Sequence, residues 1–230
     1  MNRARLSPLG LKVKAIIFDL DGVIVDSMPY HFLAWYEALR PFGLRVSCFE
    51  VYSREGERWD KTLSDLLSQA RIKYSKRTLR EIFLLRKKIF RKYFKRFIFP
   101  DALEVLFCLK KKRYSLGLVT GTPISEIKKI LPERIRGLFS AIVAGDQVKR
   151  GKPHPEPFLE AAKRLRLSPS ECLVIENAPL GIASAKKAGM FCIALATSLP
   201  AQYLKDADIT VNSLKEALLF LEKACRRPYP

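Results

Sequence analysis

Six short apolar runs punctuate the chain: VKAIIF (13–18), SLGLVT (115–120), SAIVAG (140–145), CLVIE (172–176), FCIALA (191–196) and DITV (208–211). The first is nearly continuous, the pattern of a strand buried on both faces, as in a parallel sheet. Between the runs, apolar positions recur at helical spacing over 102–111, 125–131, 157–165, 179–188 and 213–223. Strands alternating with helices predict a doubly wound, Rossmann-like α/β core with a parallel sheet. The stretch 27–99 breaks the alternation. MPYHFLAWYEALRPFGL reads as a helix closed by Gly43. TLSDLLSQARI and TLREIFLLRKKIFRKYFKRF also read as helical, and no strand-like run separates them. The expected organisation is a core of residues 1–26 and 100–230, with a small all-helical cap domain, 27–99, inserted after the first strand.

Ligands of open α/β sheets gather at the carboxyl ends of the strands. The first run ends on Asp19 and Asp21, the second on Thr120-Gly121-Thr122 and the fourth on Glu176-Asn177, while GDQVKRGKPHPEP after the third carries Lys152. Side chains two apart on a strand face the same way. Two ionised carboxylates about 6–7 Å apart repel by about 2–3 kcal/mol at an effective dielectric near 20. That placement makes sense if a cation joins them or if one stays protonated. Mg²⁺ suits such oxygen ligands, holding one or two carboxylates, waters and a substrate phosphate. A carboxylate beside it can attack phosphorus, and a second carboxylic acid can protonate the leaving oxygen and then deprotonate water. The transferring group is anionic, so a lysine and hydroxyl or amide donors should surround it.

Composition narrows the partners. With 230 residues, 48% hydrophobic, the chain can bury a full core. Its formal charge is +19, with 42 Lys and Arg against 23 Asp and Glu. Such a field attracts anions: nucleic acid, acidic membrane or phosphorylated small molecules. No apolar run approaches the roughly 18 residues of a membrane span. The basic leader MNRARLSPLGLKVK lacks an apolar segment and cleavage site, so a cytoplasmic protein is expected. Cys48, Cys108, Cys172, Cys192 and Cys225 form no CxxC pair, and those in apolar runs (108, 172 and 192) read as buried structural thiols. With two histidines, a zinc site is not expected.

The quoted residues resemble the haloacid dehalogenase superfamily of phosphotransferases. DLDGVIVDS resembles its first motif, VTGT its second, GKPHPEPF its third and VIENAPLGIASAKKAGM its fourth, in order from about 13 to 211. The helical insertion resembles the small cap of the subfamily that includes β-phosphoglucomutase and phosphoglycolate phosphatase. The resemblance implies that Asp19 is the nucleophile and a metal ligand. Asp21 is the general acid/base, with its backbone carbonyl on Mg²⁺. Thr120 and the Gly121 amide bind the transferring phosphate, and Lys152 bridges that phosphate and Asp19. Glu176 and Asn177 complete the metal shell, directly or through water. Two departures matter. Asn177 stands where a second acid is usual, and contributes no charge. In EGERWDKTL, Trp59 stands where the mutase carries an arginine for a far phosphate, with Arg58 just before it, and Pro123 replaces the mutase's lysine. Both losses favour a phosphatase over a phosphomutase.

Around this set stand residues with weaker assignments. Thr122 is a phosphate-binding candidate and an N-cap with Pro123 at N1. His31 and Arg58 are candidates for substrate contact, His31 alternatively packing on Trp35 at i+4. Asp26 marks a hinge or cap where the chain enters the insertion. Asp146 either orients Lys152 or turns the chain. Pro179 to Gly189 reads as a plain helix without chemistry. Residues 71–97 hold one acid, Glu81, and read as an amphipathic helix with a solvated basic face. The expected function is a Mg²⁺-dependent phosphatase of small phosphorylated metabolites, of sugar phosphate or phosphoglycolate type. The alternatives are a phosphomutase and a basic nucleic-acid-binding protein on a degenerate fold. Neither a membrane nor a nucleic-acid partner is expected, and the chain is expected to be a monomer or weak dimer.

Overall fold

The computed structural model describes residues 12–224. Each apolar run becomes a strand: β1 Ala15–Phe18, β2 Ser115–Val119, β3 Ala141–Val143, β4 Cys172–Glu176, β5 Phe191–Leu195 and β6 Ile209–Val211. All pairings are parallel, in the order β3-β2-β1-β4-β5-β6. The helices are α1 Met28–Leu39, α2 Cys48–Tyr52, α3 Trp59–Gln69, α4 Lys76–Tyr93, α5 Ala102–Lys111, α6 Ile124–Ile130, α7 Glu133–Arg136, α8 Glu156–Leu165, α9 Pro179–Lys187 and α10 Leu214–Ala224.

Strands β1, β2, β4 and β5 are buried on both faces, which explains their unbroken apolar runs, while the edge strand β6 is half-buried. Alternate strand residues point to opposite sides. Ile16, Phe18, Leu116, Leu118, Leu173 and Ile175 meet side chains of α5, α6 and α10. Ala15, Ile17, Val174 and Cys192 meet Phe158 of α8 and Ile182 of α9. The strand between two helix layers therefore has no polar side, and only its carboxyl end is free to carry charge.

Helices α1 to α4 form a separate apolar cluster around Trp35, Leu39, Leu63, Leu67 and Ile82. Local chemistry sets their ends. α1 stops at Leu39, Pro41 falls in a short 3₁₀ turn over Arg40–Phe42, and Gly43 closes it at φ 72°. α2, which hydrophobic periodicity does not predict, is five residues held by a Ser47–Glu50 capping box. α4 begins after its Ser75 cap and ends at Tyr93, short of the expected residue 97. From there the chain runs back beside the segment that follows β1, where Ile98 bridges Val25 and the Asp26 amide donates to the Phe97 carbonyl. The contact that Asp26 makes there is through its backbone. α7, four residues long, is also absent from the periodicity.

Cys48 is exposed and Cys108 half-buried, so the reading of buried thiols fits only Cys172 and Cys192; all four are free. Cys225 and most of the basic leader lie outside the described residues. Among the described residues no helix is long and apolar enough to cross a membrane.

Candidate active site

The carboxyl ends of β1, β2 and β4 and the loop after β3 converge on a buried polar cluster. Asp19, Asp21, Thr120, Lys152, Glu176 and Asn177 are all less than a tenth exposed. Lys152 Nζ donates to Asp19 Oδ1 at 2.6 Å and to Glu176 Oε1 at 2.5 Å. Glu176 Oε2 accepts the amides of Asn177 and Ala178 at 2.7 and 3.0 Å. Room for that carboxylate exists because residue 181 of α9 has no Cβ. Asn177 is tied through Nδ2 to Ser198 Oγ at 2.8 Å.

The charges at this point do not balance: one ammonium serves two buried carboxylates. Burial drives the Asp19 carboxyl well above the ordinary 3.8, Lys152 pulls it back, and Glu176, Asp21 and Glu55 push it up. For Lys152 the order is reversed. Burial disfavours its charge, but Asp19 and Glu176 outweigh burial and raise its pKa above the ordinary lysine value.

Asp21 belongs to a different set of contacts from Asp19. Its Oδ1 takes Ser27 Oγ at 2.6 Å and lies 3.0 Å from His31 Nε2. Its Oδ2 takes the hydroxyls of Thr120 at 3.2 Å and Thr122 at 3.0 Å. Burial works to raise this carboxyl, but His31 and the hydrogen bonds from His31, Ser27 and Thr122 overcome it, and the net shift is downward.

Several sequence expectations change here. Thr122 does not cap α6; Pro123 occupies the cap position, and Asp146 Oδ1 takes the Ile124 amide at 3.0 Å. A hydroxyl is held more strongly by a buried carboxylate than by a neutral amide, so Thr122 goes to Asp21. Asp146 is therefore a capping residue for α6. His31 packs on Phe90, ring centroids 4.6 Å apart, rather than on Trp35. Its Nδ1 meets Arg86 Nη2, and the Arg86 guanidinium lies between Trp35 and Phe90 at 5.2 and 5.4 Å from their ring centres. Arg58 sits at the rim, half exposed, paired with Asp60 and 3.4 Å from the Lys149 carbonyl. Trp59 stacks on Phe83 at 4.1 Å.

A cavity of about 230 Å³ separates the strand ends from α1–α4. Gly121 and Lys152 line one side, Glu55, Trp59 and Phe83 the other. Gly56, at φ 79°, brings backbone against both: a Cβ on Gly121 would stand 3.1 Å from the Gly56 Cα. Sequence reasoning passed over Glu55, Ser27 and Arg86. Ser27, six residues after Asp21, had a signal in the sequence, as a hydroxyl at the mouth of the first helix; Glu55 and Arg86 had none.

The donor set fits a hard divalent cation. Among the described residues, Asp19 Oδ2 and Asn177 Oδ1 are buried oxygens without a hydrogen-bond partner. They stand beside a lysine outnumbered by carboxylates, so Asp19, Glu176 and Asn177 offer oxygen ligands and uncompensated charge. A second grouping exists: ligand atoms of Asp21, His31 and Glu55 lie within 4.8 Å of one another. Its His31 nitrogens are already engaged by Asp21 and Arg86, so it reads as a hydrogen-bonded network.

A family model described as haloacid dehalogenase-like hydrolase matches residues 13–189. The chain is 32% identical over 182 residues to fructose-1-phosphate phosphatase YqaB of Escherichia coli, covering 76% of this chain and 92% of that one. It is 30% identical to phosphoglycolate phosphatase of Salmonella paratyphi A, covering 90% and 91%. A solved putative beta-phosphoglucomutase from Bacteroides vulgatus superposes with a TM-score of 0.83 at 33% identity, covering 93% and 89%. The chain belongs to the haloacid dehalogenase-like hydrolase family. It is an enzyme, and the reading as a non-enzymatic nucleic-acid binder falls away.

Proposed function

We propose that this haloacid dehalogenase-like hydrolase is a Mg²⁺-dependent phosphatase of small phosphorylated metabolites, with residues 27–99 as a cap over a core of 1–26 and 100–230. The observation that carries the reading is the Asp19–Lys152–Glu176 cluster, with open oxygens on Asp19 and Asn177, beside the cavity that Lys152 lines. In this reading Asp19 attacks phosphorus and the alcohol leaves with a proton from Asp21. Asp21 then takes a proton from water, which attacks the aspartyl-phosphate and restores Asp19. Lys152 keeps Asp19 aligned and meets the phosphate oxygens, together with the Thr120 hydroxyl and the Gly121 amide. Thr120 and Thr122 hold Asp21 Oδ2 in this structure; turning to a bound phosphate, they release that oxygen toward the leaving group. Mg²⁺, held by Asp19, Glu176 and Asn177 and by the Asp21 carbonyl, would offset the charge of the transferring group.

A second reading, a phosphomutase, is favoured by the likeness to the putative beta-phosphoglucomutase. The Trp59–Phe83 stack occupies the wall where that chemistry would need a cation. Steady-state hydrolysis of a panel of phosphomonoesters with Mg²⁺, with EDTA and with Asp19→Asn, decides. Phosphate release that needs Mg²⁺ and is abolished by Asp19→Asn in a folded protein is expected. Turnover by that variant would overturn the mechanism, and isomerisation dependent on a bisphosphate would replace the phosphatase by the mutase.

A further inference from the structure

We infer that Glu55 is a specificity-determining residue that restricts this site to phosphomonoesters of uncharged polyols or sugars, against esters carrying a carboxylate or a second phosphate near the scissile bond. The inference rests on the phosphatase reading above and narrows its substrate. Its starting point is position. Glu55 lines the cavity, and its carboxylate lies within 4.8 Å of the ligand atoms of Asp21 and His31. Asp21 is the group that must face the leaving oxygen. The first carbons of the alcohol therefore lie beside Glu55, directly under the Gly56 turn that covers Gly121 and Lys152.

The remaining cavity cations are already taken. Arg54 bonds to Glu57 at 3.0 Å and to Asp65 at 3.3 Å. Arg58 bonds to Asp60 at 3.2 Å. Arg86 meets His31 and is enclosed by two aromatic rings. Lys87 and Arg91 share Glu126. Lys152 is committed to the transferring phosphate. In all, six cations and five acids line the cavity, so the excess of +19 over the whole chain does not extend into it. What remains for the body of the alcohol is the Trp59–Phe83 stack, which suits the C–H face of a sugar or polyol, and Glu55, which accepts hydrogen bonds from hydroxyls.

A carboxylate about 6 Å from Glu55, at an effective dielectric near 20, is disfavoured about 100-fold; partial compensation by Arg86 brings the expectation to about 10- to 100-fold. The test compares kcat/KM at pH 8, chosen on the alkaline side because burial raises the Glu55 carboxyl, for a ketose or hexitol monophosphate, phosphoglycolate, glucose 1,6-bisphosphate and p-nitrophenyl phosphate. The wild type is expected to prefer the neutral monophosphate over both doubly functional esters. In Glu55→Gln the phosphoglycolate-to-neutral ratio should rise about tenfold, and in Glu55→Lys further. Ratios are taken within each variant, so a general loss of activity cancels, and the wild-type ratio stands even if a variant does not fold. Preference of the wild type for phosphoglycolate or the bisphosphate, or ratios unchanged in both variants, overturns the inference while leaving the phosphatase intact. Failure to hydrolyse any of the four esters overturns the phosphatase reading and the inference with it.

Discussion

A single methyl group at position 181 tests how the Glu176 carboxylate is held. Gly181 lies inside α9, where alanine is the better helix former by about 1 kcal/mol. A Cβ there would stand 2.5 Å from Glu176 Oε2, and closer still to Oε1 and Cδ. Something must shift, and the end of a side chain moves more readily than the backbone of a packed helix. The displaced carboxylate loses the amides of Asn177 and Ala178 and the Lys152 ammonium, bonds of 2.7, 3.0 and 2.5 Å. Hydrogen bonds to charged groups contribute about 1.5–3 kcal/mol each, so the three organise the position by about 4.5–9 kcal/mol, much of it recovered by water or new partners. Allowing for the helix gain, Gly181→Ala should lower stability by about 1–3 kcal/mol and the phosphatase rate by about 10²- to 10³-fold. The control is Ala183→Gly two residues on, which should lose about 1 kcal/mol of stability and keep its rate. Calorimetric Tm and single-turnover phosphate release measure the two effects. Gly181→Ala with a wild-type rate and the raised Tm of an ordinary helical alanine would refute the account of Glu176.

Asp19→Asn should be more stable than the wild type in EDTA. The folded state holds the Asp19 proton more tightly than the unfolded chain does, so ionisation costs wild-type stability as pH rises above 3.8. The Tm gap in favour of the variant should widen as pH rises from about 4 in thermal scans. For Asp21 the sign is opposite. Its carboxyl is lowered, so its contribution is present above 3.8 and is lost as pH falls through the folded value. His31→Ala removes the main opposing group, and the acid limb of kcat/KM should move to higher pH. Glu126→Gln releases Arg91 and Lys87 of α4 from α6. With about 0.5–1 kcal/mol lost from this partly exposed contact, KM should rise about two- to fivefold and respond less to added salt.

The sequence was most informative where burial is two-sided. Strands β1, β2, β4 and β5 showed as apolar runs because helices cover both faces, and charge at the run's end then stood out against it. Asp19, Thr120, Lys152 and Glu176 were legible for that reason. The less legible parts depend on contacts distant along the chain. His31 meets Arg86, 55 residues on, and Ile124 is capped by Asp146 from another loop. Glu55 lies in a turn without periodicity, and its aim depends on how Gly56 folds over Gly121. The motif around Gly181 was visible, but its reading as a plain helix was incomplete. Helix propensity says only that a glycine there is unfavourable; the carboxylate occupying its missing Cβ gives the reason.

Charge acts on this protein at two scales, and they answer different questions. Outside the cavity, Arg71, Lys73, Lys76, Arg80, Lys88, Lys92 and Lys95 project from the α3–α4 turn, α4 and the chain beyond it. Their field reaches about 10 Å at moderate salt and draws in any anion, whatever its tail. It therefore raises encounter rates for mono- and bisphosphates alike. Inside, among the described residues, six cations and five acids line the cavity, and Glu55 is the lining carboxylate that lies near Asp21 and His31. Selection among anions must come from this local arrangement, since the outer field does not distinguish them. On the reading proposed for Glu55, a strongly basic composition governs how quickly a phosphate ester arrives, and the near-neutral cavity governs which ester is turned over.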